Sequence, residues 1–415
     1  MNETKLSICI PTFNREAFLR KLLAHCRDHL KFEFPYEIIV VDNGSTDDTP
    51  AVAEEFANSG MPVIFMKRTV NAGWSAMAGA YLRAKGEYAL YLADDDLLIG
   101  DGAAAAVQYL DRNPDVVACY APWFLHDEVA DRDTMKFYQV DADTKYARQS
   151  FNELFDFLYQ RHVFPEIGIY RTATLRSAYA PREFCFWAFS YLANFLDMGA
   201  VAFLERPFYR SVTRSTVAHN REQAGYSEVM TAWDRYRGGL EYFLYVGAKR
   251  GKIDFSTPAH RQKYEEKCRI FTLNRMAVAL RFWMARKDYI KAYELYVRLV
   301  YGGMSHHDEV KQVRGSLQLM ASVQTFARQV NAVLGIRRVV LSNVTDLKSL
   351  AGLLYEVGMD PGIEITGEPD THAPEKMQET VVFTAQAADR KKFIALGYAP
   401  NLVFSETDLT GGVIV

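Results

Sequence analysis

Cysteine is scarce and unpatterned in this sequence: Cys9, Cys26, Cys119, Cys185 and Cys268 are odd in number, scattered, and contain no CxxC pair. A disulfide framework and a zinc knuckle are thereby excluded, and the five are read as reduced, mostly buried thiols of a cytosolic protein. Long hydrophobic runs are missing too, since none approaches the roughly 18 residues a membrane span needs. The opening MNETKLSICIPTF has one early lysine and no long apolar segment before its first proline, so it does not resemble a signal peptide. The last block of the chain lacks a GxGxxG or P-loop signature, which removes the commonest glycine-built phosphate sites from that region.

What is present is an ordinary globular composition, 49% hydrophobic and 13% aromatic over 415 residues, enough for two or three domains. The net charge of −3 conceals a partition. Residues 1–220 carry 22 basic and 29 acidic side chains, 221–330 carry 19 and 11, and 331–415 carry 7 and 11. The middle of the chain is therefore basic.

From the start, short apolar β-branched runs alternate with helical patterns: LSICIPTF, YEIIVVDNG, PVIFMKR and EYALYLADDD each precede a helix. This alternation predicts βαβ units and an α/β fold with a mostly parallel sheet flanked by helices on both faces. Ligands of such sheets sit outside the carboxyl ends of the strands. Those ends carry Pro11, Thr12, Asn14 and Arg15, then Asp42 and Asn43, then Arg68 and Asn71, then Asp94, Asp95 and Asp96. Three adjacent carboxylates repel one another unless water or a cation compensates. An isolated DDD is more often a solvated turn that starts a helix, and Asp42 could equally be a turn residue ahead of Thr49 and Pro50. Here the triplet closes a hydrophobic strand with three companion motifs, which favours the functional reading.

Taken in order, SICIPTFNREAFLRKLL, VVDNGSTDDT, the NAG at Asn71–Gly73 and GEYALYLADDDLL resemble the family-2 glycosyltransferases of GT-A fold, over about residues 1–220. The resemblance implies a nucleotide-diphosphate sugar donor, UDP-sugar by default, and a glycan or lipid-linked glycan acceptor. It places Pro11, Thr12, Asn14, Arg15, Asp42 and Asn71 at the nucleotide, and Asp94 and Asp95 at the ribose and sugar. It also implies Mn²⁺ or Mg²⁺ held by Asp94 and Asp96, with His219 as a further ligand and Arg210 and Arg214 as phosphate partners. A hard divalent ion on oxygen ligands stabilises the leaving diphosphate, which is why carboxylates are needed there. If the chain stays extended through the triplet, Asp94 and Asp96 point one way and Asp95 the other.

Two departures stand out. Many relatives carry an acidic pair, one member being the base that deprotonates the acceptor, where this chain has Phe189 and Ser190. Glu183, Asp197 and Glu166 are the substitutes, Glu183 being preferred because it precedes the helix on the loop side; a mechanism without a protein base is the remaining option. Ala78 and Gly79 stand where many relatives have Arg and Asn, so the donor base is not assigned by them.

Residues 221–334 read as a basic, aromatic-rich helical domain and 335–415 as a small α/β module. For the helical region, packing is favoured over peripheral contact with an anionic membrane at the inner face, and nucleic acid is disfavoured because the charges are dispersed. Oligomerisation or partner docking is the default role of the last module. The resulting expectation is a cytoplasmic, metal-dependent, inverting glycosyltransferase of hexosyltransferase type acting in polysaccharide assembly. Its rivals are an inactive glycan- or nucleotide-binding scaffold and a sugar nucleotidyltransferase. The glycine-rich opening loop of the latter is absent from PTFNREAF.

Overall fold

The computed structural model describes residues 4–73, 75–178, 180–218, 230–369 and 372–410. Two compact units divide the chain, the first holding 1–228 and 232–272, the second 229–231 and 273–415.

The first unit is built on an eight-stranded sheet. Its opening strands are β1 (Leu6–Thr12), β2 (Tyr36–Asp42), β3 (Val63–Lys67) and β4 (Tyr88–Tyr91), joined by α1 (Glu16–His29), α2 (Thr49–Asn58) and α3 (Ser75–Arg83). All four run parallel, with β1 between β2 and β4. Ile8, Cys9 and Ile10 are consecutive and have no exposed surface, so both faces of β1 are covered, as parallel strands require. The α1 helix buries Leu19, Leu22, Leu23 and Cys26, a stripe at helical spacing.

After β5 (Leu97–Leu98) and α4 (Gly100–Arg112), β6 (Val116–Tyr120) rejoins the sheet. Next come β7 (Phe124–Asp127), β8 (Arg132–Lys136), β9 (Thr144–Tyr146), α5 (Phe151–Arg161), β10 (Gly168–Arg171), α6 (Thr172–Ser177), α7 (Trp187–Met198), β11 (Ala200–Phe203) and β12 (Tyr209–Arg214). The large sheet has the order β3-β2-β1-β4-β10-β6-β11-β9, and a second sheet has β5-β12-β7-β8. In the large sheet, β10 is antiparallel to both β4 and β6, and β9 is antiparallel to β11. The fold is α/β with helices packed on a mixed sheet.

The basic helical stretch of 221–334 is shared between the units. The helix α8 (Trp233–Lys249) and α9 (Pro258–Ala285) up to Thr272 belong to the first. The physical reason is aromatic packing: Phe243 lies 5.2 Å from Phe151, and Phe271 lies 5.1 Å from Phe164, all buried. Much of the positive charge is locally paired, as in Arg237–Glu265, Arg269–Glu266, Arg281–Glu309 and Arg250–Asp197. Among the described residues no helix is long and apolar enough to cross a membrane.

The second unit holds α10 (Tyr289–Tyr301), α11 (Asp308–Val313), α12 (Ser316–Ala332), β13 (Arg338–Ser342), α13 (Leu347–Glu356), β14 (Glu364–Thr366), β15 (Thr380–Thr384) and β16 (Val403–Ser405). Its four strands are all parallel, in the order β14-β13-β15-β16. Alternate residues feed two cores, with Val339, Leu341 and Val381 on one face and Val340, Val382 and Val403 on the other. A cavity of about 250 Å³ opens among Val323, Phe326, Leu341, Leu350, Phe383 and Leu409.

Candidate active site

The parallel register sets Thr12 level with Asp42, and Cys9 level with Tyr91, so the ends of β1, β2 and β4 meet at one edge. The loops after β1 and β2 are stitched together there. Asn14, in the left-handed region at φ 52°, donates its N–H to Ser45 Oγ at 2.8 Å and accepts from Thr46 N at 2.8 Å. Arg15 N–H donates to Thr49 Oγ1 at 2.9 Å. The Thr49 hydroxyl therefore ties two loops together; it lies inside α2, whose cap position is Asp48. Gly44, at φ 87°, is required twice over: the backbone is left-handed, and a Cβ there would meet Val70 backbone at 3.1 Å.

Asp42 has no exposed surface, and its carboxylate accepts from Ser45 N at 3.1 Å and from the Ser45 hydroxyl. It closes the β2 loop on which Asn43 stands. Asn43 in turn bonds Asn71 Oδ1 at 2.8 Å and accepts from Ala72 N at 2.9 Å, fixing the turn before α3. Arg68 donates its backbone N–H to Asp42 O, and its guanidinium comes within 3.8 Å of where a Cβ on Gly79 would stand.

The triplet is a turn, not an extended strand, with Asp96 N donating to Ala93 O at 3.3 Å. The expected extended alternation is thus replaced by three separate anchorages. Asp94 Oδ2 accepts from Thr12 Oγ1 at 2.8 Å; Asp95 Oδ2 accepts from Arg15 Nη1 at 2.9 Å. Asp96 accepts from Tyr209 Oη and from Val212 N, each at 2.8 Å. Tyr209 and Val212 come from β12, more than a hundred residues away in sequence, and nothing local in DDD announces them. Asp94 and Asp96 are only 8% and 9% exposed. Holding like charges this close and this buried is unfavourable without compensation, and each anchor orients one carboxylate.

Oxygen donors on Asp94 and Asp96 suit Mg²⁺ or Mn²⁺, ions commonly held by one or two carboxylates plus substrate phosphates. Among the described residues no group of three or more His, Cys, Asp or Glu is arranged to hold a metal, and His219 lies outside the described residues.

Other sequence candidates fall elsewhere. Arg210 pairs with Asp133 through Nε at 2.9 Å, and His126 Nδ1 lies 2.8 Å from the same carboxylate. Burial would raise the pKa of Asp133, but hydrogen bonds from Arg210 and His126 hold it below the usual aspartate value. Arg214 pairs with Asp127 at 2.9 Å. Asp197, at the far end of α7, is bound by Arg250 and by Gln149 Nε2 at 3.1 Å, a structural position. Phe189 and Ser190 have no exposed surface. Glu183 is exposed in the loop before α7, beside Phe184, which is 79% exposed.

With this geometry in view, the known proteins can be compared. The family model described as Glycosyl transferase family 2 matches residues 7–175, the segment that carries β1 to β10 and the triplet. Residues 7–175 are thus similar to family 2 glycosyl transferases. The chain is similar to the abequosyltransferase RfbV of Salmonella typhimurium, 35% identical over 117 residues, covering 28% of this chain and 35% of that protein. It is also similar to a poly(ribitol-phosphate) beta-glucosyltransferase of Bacillus spizizenii, 33% identical over 96 residues, covering 23% and 15%. The chain thus spans about a third of the first of these relatives and less of the second. A crystal structure of S. aureus TarS 1-349 in complex with UDP-GlcNAc superposes with a TM-score of 0.47 at 15% identity, over 77% of this chain and 85% of that one.

Proposed function

We propose that this glycosyl transferase domain moves a sugar from a nucleotide-diphosphate donor to a hydroxyl of a glycan or lipid-linked acceptor, with Mg²⁺ or Mn²⁺ and with inversion at the anomeric carbon. One observation carries the reading: within the segment matched by the family model, Asp94, Asp95 and Asp96 are each fixed by a different partner at the carboxyl end of β4. Such pre-orientation is what differential stabilisation of a leaving group requires.

The nucleotide would lie over the loops after β1 and β2, which Asn14, Ser45 and Thr46 lock into one surface. Thr12 aims Asp94 at the diphosphate, and Tyr209 with Val212 N aims Asp96 there from the other side. When bound, the divalent ion supplies Lewis-acid stabilisation of the charge that develops on the diphosphate. Arg15 holds Asp95 toward the sugar.

The test is release of nucleoside diphosphate from a panel of UDP-, GDP-, CDP- and dTDP-sugars, with Mn²⁺ and with EDTA. Mn²⁺-dependent release from one donor is the expected result. Tight nucleotide binding without release from any donor would favour a scaffold. Pyrophosphate release from a nucleoside triphosphate and a sugar phosphate would favour a nucleotidyltransferase.

A further inference from the structure

Strand order across the active edge runs β2, β1, β4, β10. The nucleotide-side loops follow β2 and β1 and the triplet follows β4, so the next position along the edge belongs to β10. Because β10 is antiparallel to β4, with Ile169 opposite Leu90, the residues that precede β10 stand where β4 ends. Glu166, half-buried, is two residues before that strand.

Phenols crowd the start of β10, where Gly168 stands opposite Tyr120. Gly168 lets the Tyr170 ring fold back along its own strand: a Cβ on Gly168 would be 2.8 Å from both Tyr170 Cζ and Oη. The Tyr120 ring lies edge-on to Tyr170 at 5.9 Å. Tyr120 and Tyr138 are 0% and 4% exposed, and their hydroxyls make no hydrogen bond among the described residues. A buried hydroxyl without a partner is unfavourable, so two of them point to a hydroxyl-bearing ligand or water. Burial first, then a neighbouring phenol (Tyr191 for Tyr170, Tyr170 for Tyr138) and last the charge of Glu166 push these two phenols upward in pKa. Burial first, and then the negative charges of Asp94, Asp96, Asp95 and Glu166, raise the Tyr91 phenol.

We propose that Glu166 takes the proton of the acceptor hydroxyl, filling the place left by Phe189 and Ser190, and that the adjoining phenols bind the acceptor. This rests on the glycosyl-transfer reading. In the step, the acceptor oxygen forms a bond to the anomeric carbon as the bond from that carbon to the diphosphate oxygen breaks. The electron pair of the broken bond leaves on the nucleoside diphosphate, and the hydroxyl proton passes to the Glu166 carboxylate. Glu183 is exposed on the loop before α7.

Glu166→Gln in the full chain keeps size and hydrogen bonding while removing the basic oxygen. The assay uses the donor that turns over in the panel, with Mn²⁺ and with water as the acceptor, and then adds sodium azide, an anion that needs no deprotonation. The expected result is loss of hydrolysis by about a hundredfold or more, unchanged binding of nucleoside diphosphate, recovery of diphosphate release with azide, and normal hydrolysis by Glu183→Gln. Hydrolysis by Glu166→Gln at the normal rate, or loss of nucleotide binding along with turnover, would overturn the assignment. Failure of the unmodified protein to release diphosphate from any donor would overturn the transferase reading, and the assignment with it.

Discussion

Both units are built on parallel strands, yet β1, β2 and β4 lead into Asp42, Asp94, Asp95 and Asp96, whereas β13, β15 and β16 end in Ser342, Thr384 and Ser405. In the second unit these hydroxyls are engaged close by: Ser342 donates to Glu368 at 3.3 Å, Thr384 to Gln386 O at 3.3 Å, and Ser405 to Asp408 at 2.7 Å. The cavity beside them is lined chiefly by aliphatic and aromatic side chains. In the first unit, hydrogen bonds arriving from other strands hold the acids together. The comparison teaches that a parallel sheet provides the location and side chains provide the chemistry.

The comparison can be broken most sharply in the second unit. Phe326 is 2% exposed and packs on Phe383 at 5.8 Å and Phe404 at 5.5 Å. Phe326→Ala is expected to destabilise that unit by about 3–5 kcal/mol in urea denaturation. Mn²⁺-dependent nucleotide binding should survive below the transition; its loss would show that the two edges are not separable.

A smaller effect is expected at Asp42, which has no surface of its own and works through Ser45. Asp42→Asn replaces an acceptor with a group that also donates, costing about 1–3 kcal/mol and weakening nucleotide binding about tenfold. Titration calorimetry checks this, and unchanged affinity would detach the β2 loop from the site.

Much of this arrangement was legible in the sequence. The strands β1, β2 and β4 read as apolar runs because both of their faces are covered, and the chain at their ends carries Thr12, Asn14, Arg15 and the triplet. The direction of β10 was not legible, since GIYR marks a strand without saying which way it runs, and that direction is what brings Glu166 to the edge. The sequence leaves the triplet's conformation open, because nothing local encodes Tyr209 and Val212, the β12 groups that hold Asp96 in a turn. The helical region reads as a packing domain, and its aromatic residues Phe243 and Phe271 lie in the core of the first unit.

The smallest effect concerns Asp197. The hydrogen bond from Arg250, aided by Gln149 and opposed by burial, holds its carboxyl below the usual value. A lowered folded pKa contributes stability that is fully present above the unfolded value, near pH 4, and is lost as pH falls through the folded value. Asp197→Asn should therefore lower stability at neutral pH, converge with the unmodified protein in acid, and leave turnover unchanged. Thermal melts across pH together with the donor assay check both parts, and a turnover defect would return Asp197 to the list of candidate bases.

The central claim is that Asp94 and Asp96 work through a divalent ion on the donor diphosphate. Equilibrium binding of the preferred nucleoside diphosphate should be measured with Mn²⁺ and with EDTA, in the unmodified protein and in Asp94→Asn and Asp96→Asn. The account predicts that Mn²⁺ tightens binding in the unmodified protein and that either substitution abolishes the gain. Binding that ignores Mn²⁺, or a gain that survives both substitutions, would contradict it.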